Sequence, residues 1–256
     1  MNNEIRQHLI NSIKENIRLD GRKLEDYRDI TVETNISKTA EGSARVKIGE
    51  TEVFAGIKME IATPFPDRPD DGAIMVNAEF LAMASPEFES GPPQMPAIEL
   101  ARVVDRGIRE SGAINLKKLC IKKGEKCWML VVDICTVNDA GNLLDAAALA
   151  AIAALRDARF PKFENGELDY KTKTDKKIDM AITPIAITVL KIGDNILVDP
   201  VHDEEINLDA RLTVTTTEKN VICALQKGGN ETLSVENIDK MVDLAIEKAN
   251  VLRGLL

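Results

Sequence analysis

The sequence predicts an α+β fold made of two sheet-plus-helix halves. Apolar and polar residues alternate through residues 29–36, 43–50 and 51–62, the mark of half-buried strands. Helical spacing takes over in residues 97–111, 143–155 and 234–255. A polar stretch punctuated by Asn-Gly, residues 163–177 (FENGELDYKTKTDKK), then divides a larger half at 1–162 from a smaller one at 178–256 and reads as a connecting segment. Strand groups followed by helices, twice over, give the α+β class.

Each element follows from its own residues. Residues 3–17 read as a short amphipathic helix, and RLDGRKLEDYRDI after them as turn-like chain. In the next strands Ala44, Val46 and Ile48, then Val53, Ala55, Ile57, Met59 and Ile61, fall on one face each, with Gly49-Glu50 as the hairpin turn. Residues 62–72, ATPFPDRPDDG, hold too much Pro and Asp for a strand interior and read as a projecting loop before the strand AIMVNAEFL. After GPPQMP a helix begins, opened by Pro96, with Ile98, Ala101, Val104 and Ile108 at helical spacing. LKKLCIKKGEKCWMLVVDICTV reads as a hairpin of strands. Its second strand passes through N-D-A-G-N into an alanine-rich helix, where Ala147, Ala151 and Ala154 allow close approach to a sheet. The second half supplies the strands AITPIAITVLKI, NILVDP, ARLTVTTT and VICALQKGG. It ends in a helix with Ser234 as N-cap and Ile238, Met241, Val242, Ala245 and Ala249 on one face.

Composition narrows the function. With 256 residues and 44% hydrophobic content the chain can bury a substantial core. A net charge of −9 excludes a protein that coats nucleic acid unaided, because non-specific affinity rests on Lys and Arg neutralising phosphates. Two histidines leave little material for His-based catalysis, and four cysteines without C-x-x-C spacing support neither a disulfide framework nor a zinc site. The longest nearly apolar run, 143–155, is too short to span a bilayer, and the N-terminus has no signal-peptide core; a cytoplasmic protein without membrane contact is expected.

Three places carry candidate chemistry. A strand entering a helix through a small-residue turn points unpaired N–H groups outward, and the helix dipole favours an anion there. The turn Asp139-Ala140-Gly141-Asn142 has that form, yet it lacks Lys, Arg, Ser and Thr, and Asp139 and Asp145 would repel a phosphate. Arg102, Arg106 and Arg109 line one side of the helix at 97–111, but Glu99, Asp105 and Glu110 are interleaved, so spacing alone favours a solvated face. His202-Asp203-Glu204-Glu205 reads as a solvated acidic loop in preference to a Mg²⁺ site.

The runs GSARVKIGETEVFAGIKMEIATPFPDRPDDG, IELARVVDRGIRES, VVDICTVNDAGNLLDAAALAAIAALRDARFP and ILVDPVHDEE resemble the RNase PH family. Within it they resemble the non-catalytic RNase PH-like subunits of the archaeal exosome ring. The resemblance spans nearly the whole chain, from about Arg18 to the C-terminal helix, and implies an RNase PH-like fold whose first half is similar to ribosomal protein S5 domain 2. Phosphorolytic members degrade RNA from the 3′ end and hold phosphate in a Gly-Gly-Thr or Gly-Gly-Ser turn followed by Arg. Here Ala140, Gly141 and Asn142 occupy that turn, so the resemblance implies a degenerate phosphate site. An Arg-Arg pair that contacts RNA in active members is matched by Met95 and Pro96. Asp199 and Glu205 match the family's carboxylate pair and are expected to be vestigial.

By the same resemblance the ring is a trimer of heterodimers with a catalytic RNase PH-like paralogue. Further expected partners are cap proteins with RNA-binding domains and single-stranded RNA. Arg102 and Arg106, with Arg109 as a third, are then expected to help hold the RNA 3′ end, and Arg68 in the Pro-Asp loop to face the RNA channel. No catalytic residue, metal or cofactor is expected. Two other functions fit parts of the sequence: a phosphate-dependent 3′-to-5′ exoribonuclease using Asp199 and Glu205, and a ring scaffold without RNA contact.

Overall fold

The computed structural model describes residues 3–164 and 167–256. Its first sheet holds β1 (Ile30–Thr34), β2 (Gly42–Ile48), β3 (Thr51–Ala62), β4 (Ala73–Phe80), β5 (Cys120–Lys122) and β6 (Lys126–Asn138). The order is β1-β2-β3-β6-β4, with β5 also paired to β6. Every pairing is antiparallel except β4 with β6. The alternation read from the sequence is realised in three dimensions: Ala44, Val46, Ile48, Val53, Ala55, Ile57 and Met59 are all buried, and Ile61 at the strand end is half-buried. Ile48 pairs with Thr51, which puts Gly49-Glu50 in the hairpin turn.

The second sheet holds β9 (Ile185–Ile192), β10 (Asn195–Val198), β11 (Ala210–Thr216) and β12 (Ile222–Gly228) in the antiparallel order β10-β9-β11-β12. Between the two sheets runs α3 (Leu143–Asp157), which contacts β2 and β3 on one side and β9 on the other. Every residue from Leu143 to Leu155 is buried. A helix apolar on all sides has no solvent face to keep, and here two sheets cover it. The approach is close enough that a Cβ on Gly42 of β2 would lie 2.3 Å from the Ala154 carbonyl oxygen. One continuous hydrophobic cluster therefore draws residues from both sheets and α3.

The outer helices complete the layers. α1 (Asn3–Lys14) packs Leu9 and Ile13 against Leu190, Ile192 and Leu197. α5 (Val235–Arg253) buries Met241, Ala245, Ala249 and Leu252, and the Ser234 hydroxyl accepts from the Asn237 N–H at 3.2 Å. No described helix is long and apolar enough to cross a membrane.

Two elements differ from the sequence reading. α2 (Met95–Glu110) is turned relative to the expected spacing: Ala97, Leu100, Val103, Val104, Gly107 and Ile108 are buried, whereas Ile98 is exposed and Ala101 half-buried. Leu100 and the Val103-Val104 pair dominate the apolar stripe and set its direction. Most of residues 163–177, expected as a polar connection, lie in β8 (Glu167–Lys177), which forms a two-stranded antiparallel sheet with β7 (Arg159–Glu164). Phe160 and Phe163 of β7 place the Trp128 ring in edge contact, anchoring the hairpin to the first sheet.

Candidate nucleic-acid interface and the turn before helix α3

Asp139, Ala140, Gly141 and Asn142 connect β6 to α3. Gly141 has φ +93° and Asn142 φ +64°, backbone that Gly and Asn adopt most readily. A Cβ on Gly141 would also lie 2.5 Å from the Pro200 carbonyl oxygen, so this glycine serves a close crossing of two loops. The N–H groups that might hold an anion have internal partners. Ala140 donates to the Thr51 hydroxyl (3.2 Å), Gly141 to the Asp139 carboxylate (3.0 Å) and Asn142 to the Glu205 carboxylate (2.9 Å). Two of these three donors are thus taken by the chain's own carboxylates.

Beneath the turn lies Asp199, fully buried, on which five donors converge. Its Oδ2 accepts from Arg22 Nη1 (2.7 Å), the Arg28 N–H (2.8 Å) and Arg28 Nε (2.9 Å); its Oδ1 accepts from Arg28 Nη2 (2.7 Å) and Asn142 Nδ2 (2.9 Å). Arg28 also donates to the carbonyls of Ala140 (2.9 Å) and Gly141 (3.0 Å), which straps the turn to the second sheet's loop. Burial alone would raise the Asp199 carboxyl, but hydrogen bonds and charge from Arg28 outweigh it and hold the group below the usual carboxylate range. A carboxylate saturated by two guanidiniums and an amide has little capacity left for a metal.

The acidic stretch at 202–205 is not the solvated loop its composition suggested. It forms the short helix α4 (His202–Glu205), in which Glu204 is fully buried against Arg18. Arg18 further donates to the carbonyls of Val198 (3.0 Å) and Asp199 (2.7 Å), so the buried pair is fully engaged. Asp145 accepts from Tyr27 OH (2.7 Å), the Thr188 N–H (2.7 Å) and Asn142 Nδ2 (3.2 Å). Burial nevertheless pushes its carboxyl up to about 7, with nearby Asp199 adding to the rise. Burial also pushes Glu205 up to about 7, assisted by Asp139.

The sequence reading missed Arg18, Arg22, Tyr27 and Arg28 in this network. Their density in RLDGRKLEDYRDI was the available signal, but the buried acids they meet, Glu204 for Arg18 and Asp199 for Arg22 and Arg28, lie 171 to 186 residues away. Neighbouring sequence could not name them.

The arginine helix tells the reverse story. Met95, Pro96, Ile98, Glu99, Arg102, Val103, Arg106 and Gln226 line an open groove of about 550 Å³. Arg102 and Arg106 are exposed on it, and neither forms an ion pair among the described residues. Two of the three interleaved acids are paired away from Arg102 and Arg106: Asp105 binds Arg109, and Glu99 binds Arg211 of β11 at 2.7 Å. Arg109 is thereby separated from its two neighbours, held by Asp105 and by the Ile74 carbonyl (3.0 Å). Arg68 projects from the loop after β3 with its side chain largely exposed, and does not line this groove. A hydrogen bond from Gly72 to Leu116 ties that loop to the 3-10 turn before β5, and one from Gly124 to Pro69 ties it to the β5–β6 hairpin.

Comparison with known proteins agrees with this architecture. Residues 26–161 match the 3′ exoribonuclease family, domain 1, and residues 183–248 match its domain 2. The chain is 49% identical to the exosome complex component Rrp42 of Methanocella arvoryzae, over 99% of this chain and 96% of that one. It is 45% identical to the Rrp42 of Thermococcus onnurineus, over 97% and 93%. Among solved structures it resembles a chain of the Archaeoglobus fulgidus exosome with RNA bound to the active site, with TM-score 0.91 and 43% identity over 98% of this chain and 97% of that one. A chain of an archaeal exosome core matches with TM-score 0.87 and 41% identity over 98% and 95%. Two family domains in order, near-full-length relatives and the shared fold place the chain in the RNase PH family of 3′ exoribonucleases.

Proposed function

We propose that this chain is a ring subunit of an archaeal-type RNA exosome, without a phosphorolytic centre of its own. In this reading it forms a hexameric ring with a catalytic RNase PH-like partner and lends Arg102 and Arg106 to the RNA that the partner degrades. Cap proteins with RNA-binding domains and single-stranded RNA complete its set of partners.

The observation that carries the non-catalytic part is the Asn142 N–H bonded to Glu205 at the helix start. Phosphorolysis requires a bound phosphate whose oxygen attacks the phosphorus of the terminal RNA linkage, with donors and cations around the charge that builds there. In this chain the Gly141 and Asn142 N–H groups of the turn face carboxylates and that of Ala140 a hydroxyl, while the guanidiniums of Arg22 and Arg28 are spent on Asp199. An enzyme using Asp199 and Glu205 in its own right would need both carboxylates available, and the two oxygens of Asp199 already accept from five donors. The RNA-binding part rests on Arg102 and Arg106, whose guanidiniums are directed to an open groove and suit forked contacts with phosphate oxygens.

The purified chain, incubated with single-stranded RNA and inorganic phosphate, is expected to release no nucleoside diphosphate alone and to support release once its catalytic partner is added. Nucleoside diphosphates from the isolated chain would overturn the reading. In the assembled ring, Arg102→Glu with Arg106→Glu is expected to weaken RNA binding by about tenfold or more at low salt, with a shallower salt dependence. Unchanged affinity across the salt series would remove these arginines from the RNA site.

A further inference from the structure

The groove on α2 keeps the full charge of its two arginines because the acid on its wall is neutralised from behind. Glu99 stands one turn before Arg102 on α2, lines the same groove, and would by itself cancel half the charge of the arginine pair. Its carboxylate instead meets Arg211 Nη2 at 2.7 Å. Arg211 starts on β11, whose Thr215 packs against Gly107 of α2, and its side chain leans over the edge strand β12 to meet Glu99. The residue opposite Arg211 in the β11–β12 register is Gly228, and a Cβ there would lie 2.3 Å from Arg211 Nε. Gly228 leaves the path open. Gln226 of β12 links Glu99 to Arg106: its Nε2 donates to Glu99 (3.4 Å) and its Oε1 accepts from Arg106 Nη1 (3.5 Å).

We infer that Arg211, reaching over Gly228, is a positioning residue for the proposed RNA groove: it holds Glu99 away from the phosphates and lets Gln226 orient Arg106. The inference rests on the assignment of Arg102 and Arg106 to RNA. Arg211 acts through Glu99 rather than through the nucleic acid. That distinction is testable, because a direct contact and a charge-masking contact respond oppositely when Glu99 is also removed. If Arg211 bound RNA itself, losing Glu99 would not replace it.

The test uses the assembled ring and a fluorescein-labelled single-stranded oligoadenylate, with affinity read by anisotropy over a salt series. Arg211→Gln removes the masking charge, and Gly228→Ala displaces the guanidinium while leaving its charge in the chain. Each is expected to weaken binding about threefold to fivefold at low salt, the size that a partly exposed charge pair supports. Adding Glu99→Gln to either variant is expected to return affinity to within twofold of wild type. Wild-type affinity in both single variants, or failure of Glu99→Gln to restore it, overturns the inference. Arg102→Glu with Arg106→Glu is measured alongside: if that variant also binds like wild type, the groove is not the RNA site and the underlying reading fails instead.

Discussion

Replacing Asp199 by Asn tests how the two halves of the network hold together. The substitution keeps the shape of the side chain, and Asn tolerates the positive φ of +46° at this position, so backbone strain does not enter. What changes is charge and acceptor count. Oδ2 serves three donors and Oδ1 two, all from Arg22, Arg28 and Asn142. An amide offers one oxygen, so whichever way it is turned, at least two N–H groups face another NH₂. Arg28 loses its counter-charge while its remaining contacts, the carbonyls of Ala140, Gly141 and Pro200 and the Thr51 hydroxyl, are all neutral. Removing one partner of a buried ion pair costs about 3–5 kcal/mol.

For a chain of this length each kcal/mol moves the thermal midpoint by about 2–4 °C, so Asp199→Asn is expected to melt roughly 6–20 °C below wild type. Differential scanning calorimetry of the purified chain at neutral pH measures it. A midpoint within about 2 °C of wild type would show that the Arg22 and Arg28 contacts contribute nothing net, and the account of Asp199 as the central strap would be wrong. The gap is expected to narrow in acid, since Asp199 itself becomes protonated once the pH falls through its depressed folded-state range.

Two further predictions concern the same turn. Asp145 and Glu205 hold protons up to about pH 7 in the folded chain but release them near their ordinary values of 3.8 and 4.5 when unfolded. The folded state therefore binds more protons between about pH 4 and 7, and these groups make stability fall as pH rises through that window, by up to roughly 1.4 kcal/mol per pH unit each. Urea titrations at pH 5 and pH 7.5 read the slope, and Asp145→Asn is expected to remove its share; a slope unchanged by that variant refutes the assignment. Gly141→Ala places a methyl group against Pro200, Val201 and His202 on backbone at φ +93°, and is expected to destabilise the chain by about 2 kcal/mol or more. A thermal melt equal to wild type would mean that the loop crossing yields more easily than its geometry indicates.

Local patterns carried most of the fold. Alternation in β2 and β3 names the buried face almost residue by residue, because a strand's period is two and a register slip would expose the whole set. The alanine run of α3 points to close packing, though not to a second sheet on its other side, which only the chain's return through β9 supplies. α2 was harder, since Ile98 is apolar yet exposed on the groove and the helical spacing could be drawn through it. The site was legible in outline and not in its partners. Sequence gave the turn without cations and the arginines with interleaved acids, but which charge neutralises which depends on contacts such as Arg18 with Glu204, 186 residues apart.

Those long-range pairings decide what a chain of net charge −9 offers to a polyanion. At the turn before α3 the basic residues are consumed: Arg22 and Arg28 close on Asp199, and the Gly141 and Asn142 N–H groups close on Asp139 and Glu205. Along α2 two acidic residues are consumed instead, Glu99 by Arg211 and Asp105 by Arg109, which leaves Arg102 and Arg106 facing the groove. Bulk charge is the same background for both places. The difference lies in which sign each place has paired off internally, and for phosphate recognition at short range that local remainder outweighs a net charge spread over the whole surface and screened within about 10 Å at ordinary salt.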